Sequence, residues 1–199
     1  IGIIVGTATA NATIQNDDAS VSIAANSAVK AEGQSGTTPY TFTVTRSGNT
    51  TSAASVNYAV TGANAADFDG GVLPSGTASF AAGVSTAQIT INVAGDSSVE
   101  SDEVFTVTLN NPSTGTVVSG VPANGTIQND DVALSIVATS ADKFEGNAGT
   151  TAFTFTVTRT GNAALAVSAA YTLTAADTNA SDFTGSTTGT VSFASGVTS

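Results

Sequence analysis

Apolar and polar residues alternate along most of this chain with a period of two residues. The segments YTFTVT (40–45) and FTVTL (105–109) place an aromatic or aliphatic side chain at every second position, with threonine between. The segment ITINV (89–93) follows the same rule. Such alternation predicts strands that bury one face. Clusters such as Ser47-Gly48-Asn49 predict turns between the strands, and no segment has the periodicity of an amphipathic helix.

Shorter segments of the same kind predict further strands at 21–23, 55–60, 77–80 and about 116–127, the last with a turn near Pro122. About seven strands in roughly 110 residues are typical of an antiparallel β-sandwich with Greek-key connections. The pattern therefore predicts an all-β fold with the alternating Phe residues in its core.

The whole pattern returns along the chain at a fixed distance. The string ATIQNDD, which ends at Asp18, recurs as GTIQNDD, which ends at Asp131, 113 positions later. The same offset joins Glu32 to Glu145. Self-similarity at a fixed period indicates a tandem array of structural units.

The repeat divides the chain into three parts. Residues 1–18 are predicted to be the C-terminal strand of a preceding repeat, because they match 114–131. Residues 19–131 are predicted to form one complete repeat. Residues 132–199 are predicted to be the N-terminal part of a following repeat. We therefore expect the sequence to be a piece of a longer protein.

Composition narrows the class of function. The chain has 15 Asp and Glu against 4 Lys and Arg, and its net charge of −11 argues against nucleic acid and anionic membranes as partners. It has no Cys and no His, which removes disulfides, zinc–thiolate sites and the usual catalytic groups. We therefore expect no enzyme, and the lack of disulfides favours a bacterial secreted protein. No apolar run reaches the roughly 18 residues of a membrane helix, so no membrane insertion is expected.

The carboxylates lie in three places that a sandwich can bring to one end. Glu32 follows the first strand, four carboxylates lie in DSSVESDE (96–103), and Asp130 and Asp131 end the last strand. Neighbouring carboxylates repel by about 1–4 kcal/mol per pair, and a hard cation such as Ca²⁺ removes this cost. Asn129 and backbone carbonyls could complete the ligand set. A solvated acidic loop that keeps the surface soluble explains the same residues, and spacing alone leaves both interpretations open.

Several strings together resemble the Calx-β domains, a family that includes the calcium-binding repeats of the sodium/calcium exchanger and tandem repeats of bacterial surface proteins. The strings are AEG (31–33), FTVTRSGN (42–49), ADF (66–68), GTASF (76–80), DSSVESDEVFTVTL (96–109) and GTIQNDD (125–131). The resemblance implies tandem seven-stranded antiparallel immunoglobulin-like β-sandwiches (Greek key) that bind Ca²⁺ in their end loops. By position it implies six metal ligands: Glu32, Asp96, Glu100, Glu103, Asp130 and Asp131.

The sequence departs from the family pattern in one loop. Calcium-binding members often carry an Asp between the third and fourth strands, where this chain has Gly62. Because of this glycine, the complete unit is expected to bind fewer ions or to bind them more weakly. The following copy offers Asp177 at the equivalent place. Asp67 is expected to cap a turn rather than to bind metal.

These expectations combine into a structural role. We expect a calcium-binding repeat of a large secreted or cell-surface bacterial protein, forming a rod-like stalk or fibre for adhesion or matrix. Its partners would be neighbouring repeats of the same chain, with possible self-association into fibres. There are two alternatives. One is a carbohydrate- or protein-binding module, although the chain lacks the exposed aromatic platform that sugars favour. The other is a calcium-sensing regulatory domain.

Overall fold

In a computed structural model, which describes residues 1–3, 6, 9–174 and 180–199, residues 19–131 form two facing β-sheets. The strands of this unit are β1 (Ala19–Ser27), β2 (Val29–Ala31), β3 (Thr37–Gly48), β4 (Ala54–Thr61), β5 (Ser75–Phe80), β6 (Thr86–Ala94), β7 (Glu103–Asn110), β8 (Thr116–Val118) and β9 (Ala123–Gln128). One sheet has the order β6-β3-β1-β8 and the other the order β2-β9-β7-β4-β5. The predicted all-β sandwich is confirmed.

The predicted count of seven strands is not confirmed, because the first and last strands are each divided. The chain breaks at Ala28, so β1 lies in the first sheet and β2 in the second. The last strand divides in the same way, into β8 and β9 around Pro122. These short segments pair in parallel, β8 with β1 and β2 with β9, whereas the other pairs in this unit are antiparallel.

Aromatic rings join the two sheets at the centre of the sandwich. Phe105 on β7 contacts Tyr40 and Phe42 on β3 edge to face, with ring centroids 5.6 and 5.9 Å apart. It also contacts Phe68, at 5.5 Å. All four rings are buried, as the period-two pattern predicts for the three that lie on strands. Such offset aromatic pairs add about 0.5–1.5 kcal/mol each beyond the area they bury.

Residues 132–199 form two separate two-stranded sheets. One pairs β10 (Val132–Ser140) with β11 (Thr154–Gly161), and the other pairs β12 (Val167–Thr172) with β13 (Thr188–Phe193). The first reproduces the β1–β3 pair, including its register shift, at an offset of 113 residues. The described residues of 1–18 form no strand and are exposed. The division into three parts stays a prediction.

Among the described residues, helical structure is limited to short 3-10 turns, at Ala65–Asp67, Asp69–Gly71 and Ala180–Asp182. Within the described ranges, no helix is long and apolar enough to cross a membrane.

Candidate metal centre

The pairing of β2 with β9 brings two of the three acidic places together. Ala31 lies opposite Gln128 in the parallel register, and the next residue, Glu32, donates its backbone N–H to the carbonyl of Gln128 at 3.3 Å. One residue further, the backbone N–H of Gly33 donates to Oδ1 of Asp130 at 3.1 Å. The turn after β2 therefore lies against the end of β9.

The acidic loop 96–103 begins against the same turn. Gly95 lies so close to Gly33 that a Cβ added to Gly95 would be 2.2 Å from the carbonyl oxygen of Gly33. Its N–H donates to the carbonyl of Gly36 at 3.0 Å. Only glycine fits at this position, because the Cβ of any other residue would clash with the Gly33 backbone, which cannot move aside as a flexible side chain can. The tight contact places Asp96, the next residue, beside Glu32.

Asn129 ties the other end of the loop to the end of β9. Its side-chain Oδ1 accepts the backbone N–H of Glu100 at 3.2 Å and that of Asp131 at 3.3 Å. Its backbone N–H donates to Oδ1 of Asp102 at 3.1 Å. The Asn129 side chain is a possible ligand by sequence, but both lone pairs of its oxygen already accept hydrogen bonds. Asn129 shapes the loop instead.

Glu32 lies at the centre of the acidic cluster. The residue is only 3 % exposed, and its pKa is raised from 4.5 to about 7, first by burial and then by the negative charge of four carboxylates: Asp96, Glu100, Asp131 and Asp130. The structure therefore brings four of the predicted ligands within electrostatic reach of a fifth, Glu32.

The sixth predicted ligand, Glu103, pairs with a residue that the sequence did not predict as a site residue. Burial, then a side-chain hydrogen bond and the charge of Glu103, raise the pKa of Asp67 from 3.8 to about 6. The charge of Glu100 acts in the same direction and links this pair to the cluster. Asn64 caps the 3-10 turn by accepting the N–H of Ala66 at 3.2 Å. A hydrogen bond from the Asn64 backbone to Asp67 lowers the pKa of Asp67 and partly opposes the increase.

Asp131 carries the clearest sign that the cluster is built for a cation. The side chain is 1 % exposed, and its Oδ2 is buried with no hydrogen-bond partner in the part of the chain that the structure describes. A buried carboxylate oxygen without a donor costs several kcal/mol unless a positive charge faces it. In contrast, Asp18, its equivalent one repeat earlier, is exposed.

The donor chemistry fits a hard cation, although the side chains are not closed around one. All candidate donors are oxygens, which Ca²⁺ and Mg²⁺ prefer. Among the described residues, no group of three or more acidic side chains could hold an ion as arranged. The carboxylates would therefore have to move closer together to bind one. Asp177, the candidate from the following copy, lies outside the described residues.

The cluster is continuous with the next repeat. The backbone carbonyl of Asp131 accepts the N–H of Asn162 at 2.8 Å, and the Asn162 side chain donates to the carbonyl of Asn129 at 3.1 Å. A Cβ on Gly161 would lie 2.3 Å from the Asp131 carbonyl oxygen and 2.9 Å from a methyl group of Val99, in the acidic loop. The main chain of Asp131 thus contacts Gly161 and Asn162 in the next unit, while its side chain lies in the acidic cluster.

Comparison with known proteins identifies related domains. Residues 15–133 match the sequence model of the Calx-beta domain. The solved structure of CBD12 from CALX1.2 is 25 % identical, with a TM-score of 0.50, over 87 % of this chain and 72 % of that one. The apo-form Calx CBD1 domain is 28 % identical, with a TM-score of 0.47, over 56 % of this chain and 98 % of that one. No curated protein sequence matches the chain.

Proposed function

Because this chain belongs to the Calx-beta family, we propose that residues 19–131 bind calcium at the acidic end of the sandwich. The observation that carries the proposal is the buried Oδ2 of Asp131, which has no hydrogen-bond partner among the described residues and lies near the buried Glu32. Asp96, Glu100 and Asp130 would supply further oxygens. Glu103 would contribute together with Asp67, since the two side chains are paired. The bound ion would neutralise carboxylates that otherwise repel one another.

We further propose that calcium stiffens the joint between repeats. No linker separates Asp131 from β10, which begins at Val132. The same backbone contact occurs one repeat earlier, where the carbonyl of Asp18 accepts the N–H of Asn49 at 3.0 Å. A row of sandwiches with such joints would form a rod-like stalk or fibre. The match to the CBD12 structure covers 87 % of the chain, more than one unit, which supports a tandem arrangement.

The acidic, cysteine-free composition supports an extracellular or cell-surface location in a bacterium, with a role in adhesion or matrix. Polymerisation of such rods into a filament is a further part of this proposal. Catalysis is not proposed, because the chain has no His or Cys and the carboxylates are better explained by a cation.

A calcium-sensing regulatory role is a second candidate. The position of Asp131 favours this role. A movement of its side chain on calcium binding would be transmitted to the next unit through its backbone carbonyl, which accepts the N–H of Asn162. The sequence that adjoins the repeats distinguishes the two roles: an attached regulated domain supports sensing, whereas further repeats with a surface anchor support a stalk.

Calorimetric titration of the chelator-treated 199-residue chain with CaCl₂ tests calcium binding, and MgCl₂ serves as the comparison ion. We expect calcium to bind and to raise the melting temperature. At 100 times its Kd, it should stabilise the fold by about 2.7 kcal/mol. Small-angle scattering with calcium and with chelator tests the joint, and a larger maximum dimension is expected with calcium. An unchanged melting temperature together with an unchanged dimension would refute the calcium-stiffened joint.

A further inference from the structure

Gln34 contacts both carboxylates at the end of β9. Its side-chain Nε2 donates a hydrogen bond to Oδ1 of Asp131 and lies 3.5 Å from Oδ2 of Asp130. Because ionised carboxylates only accept hydrogen bonds, the amide presents its NH₂ group to them rather than its oxygen. Neither the spacing of the acidic residues nor the family motif pointed to this residue.

The Gln34 hydrogen bond leaves one particular oxygen available. It uses Oδ1 of Asp131, while Oδ2 of the same carboxylate is buried and has no hydrogen-bond partner in the described ranges. The Asp131 backbone is fixed from two other directions, since its N–H donates to Asn129 and its carbonyl accepts from Asn162. With the backbone held, the amide determines how the carboxylate is rotated.

We propose that Gln34 is a positioning residue that holds Asp131 with its free oxygen directed into the cation site. This inference rests on the proposed calcium binding of residues 19–131. Gln34 would not bind the ion itself and would keep its hydrogen bond when calcium enters. Partners of this kind, which hold a metal ligand without touching the metal, typically contribute 10–100-fold to metal affinity.

The test compares Gln34→Met with Gln88→Met in the full chain. Methionine has nearly the length of glutamine but no donor, and Gln88 is an exposed glutamine on β6. Calorimetry with CaCl₂ should give a Kd about 10–100-fold weaker for Gln34→Met and an unchanged Kd for Gln88→Met. A Gln34→Met variant that binds calcium as well as the parent chain, or more tightly, would overturn the proposal.

A second measurement separates positioning from competition with the ion. The side-chain NH₂ resonances of Gln34, followed by NMR, should stay in their hydrogen-bonded positions when calcium is added. Movement of these resonances to the positions of a free glutamine amide would show that calcium displaces Gln34. If the parent chain binds no calcium, the proposed function fails; if it binds calcium and Gln34→Met binds equally well, only this inference fails.

Discussion

Asn162 and Asp131 are joined by a backbone hydrogen bond of 2.8 Å that connects one repeat to the acidic site of the repeat before it. The Val132–Gly161 pair ends the β10–β11 ladder, and this hydrogen bond extends the ladder by one residue beyond that pair. The Asp131 side chain points the other way, into the cluster around Glu32. One residue therefore contacts both the acidic site and the next unit.

Replacing Gly161 should loosen this joint. Gly161 has a φ of +85°, and an added Cβ would clash with the Asp131 carbonyl oxygen and with Val99. Gly149 is a matched control, because its φ of +78° is similar but its surroundings are open. Both alanine variants should carry the cost of a left-handed conformation, about 1–2 kcal/mol. Only Gly161→Ala should also accelerate hydrogen exchange at the Asn162 amide; equal exchange in both variants would contradict the tight fit.

Neutralising Asp131 should have opposite effects on stability and on calcium binding. Asp131→Asn removes one of the charges that raise the pKa of Glu32, so in chelator it should stabilise the unit by on the order of 1 kcal/mol. The same change removes a proposed ligand, so calcium affinity should fall at least tenfold. Asp18→Asn changes the exposed equivalent of Asp131 and should alter neither quantity. Thermal unfolding with and without calcium measures both effects.

Without calcium, the unit should become more stable as the pH falls from 7.5 to 5. The folded-state pKa values of Glu32 and Asp67, about 7 and about 6, exceed the ordinary values of 4.5 and 3.8. The folded state therefore binds protons more tightly than the unfolded state. The stability gained from this proton binding is complete below the ordinary pKa values and is lost as the pH rises through 6 to 7. The change should be on the order of a few kcal/mol. Melting curves in chelator measure it, and Glu32→Gln should flatten the dependence; a parent chain that loses stability on acidification over this range would contradict the prediction.

The repeated FTVTR string offers a matched test of the core. Phe42 and Phe155 occupy the same position in successive copies, but Phe42 is fully buried and Phe155 is 51 % exposed. Phe42→Ala should destabilise the unit by about 3–5 kcal/mol, whereas Phe155→Ala should cost less than about 1 kcal/mol. Chemical denaturation of each variant gives the two values. Similar losses would show that residues 132–199 bury Phe155 in solution.

The alternation of apolar residues predicted the main strands and the buried Phe42, Phe80 and Phe105, but the same pattern also predicted a buried Phe155, which is 51 % exposed. It did not predict that the first and last strands cross between sheets, because the break at Ala28 interrupts no alternation in the sequence. The three acidic segments could be predicted to lie together, because each lies at the end of a strand and the topology of a sandwich brings strand ends together.

The roles of individual polar side chains needed the folded chain. Asp67 was expected only to cap a turn; it does contact the backbone of Asn64 there, but it also lies beside Glu103, which the sequence did not indicate. Gln34 sits in a turn like many other polar residues, and only the packing of that turn against the end of β9 brings its amide to Asp131. The Gln34–Asp131 contact joins residues 97 positions apart, for which local sequence carries no signal.

The all-β class, the 113-residue repeat and the three acidic segments can be read from the order of residues alone, because periodicity and composition are local properties of the chain. Only the folded chain shows that Glu32 and Asp131 are buried in one cluster. The turn after β2 contacts Asp131 through Gln34, and burial and charge depend on neighbours in space rather than on neighbours in sequence.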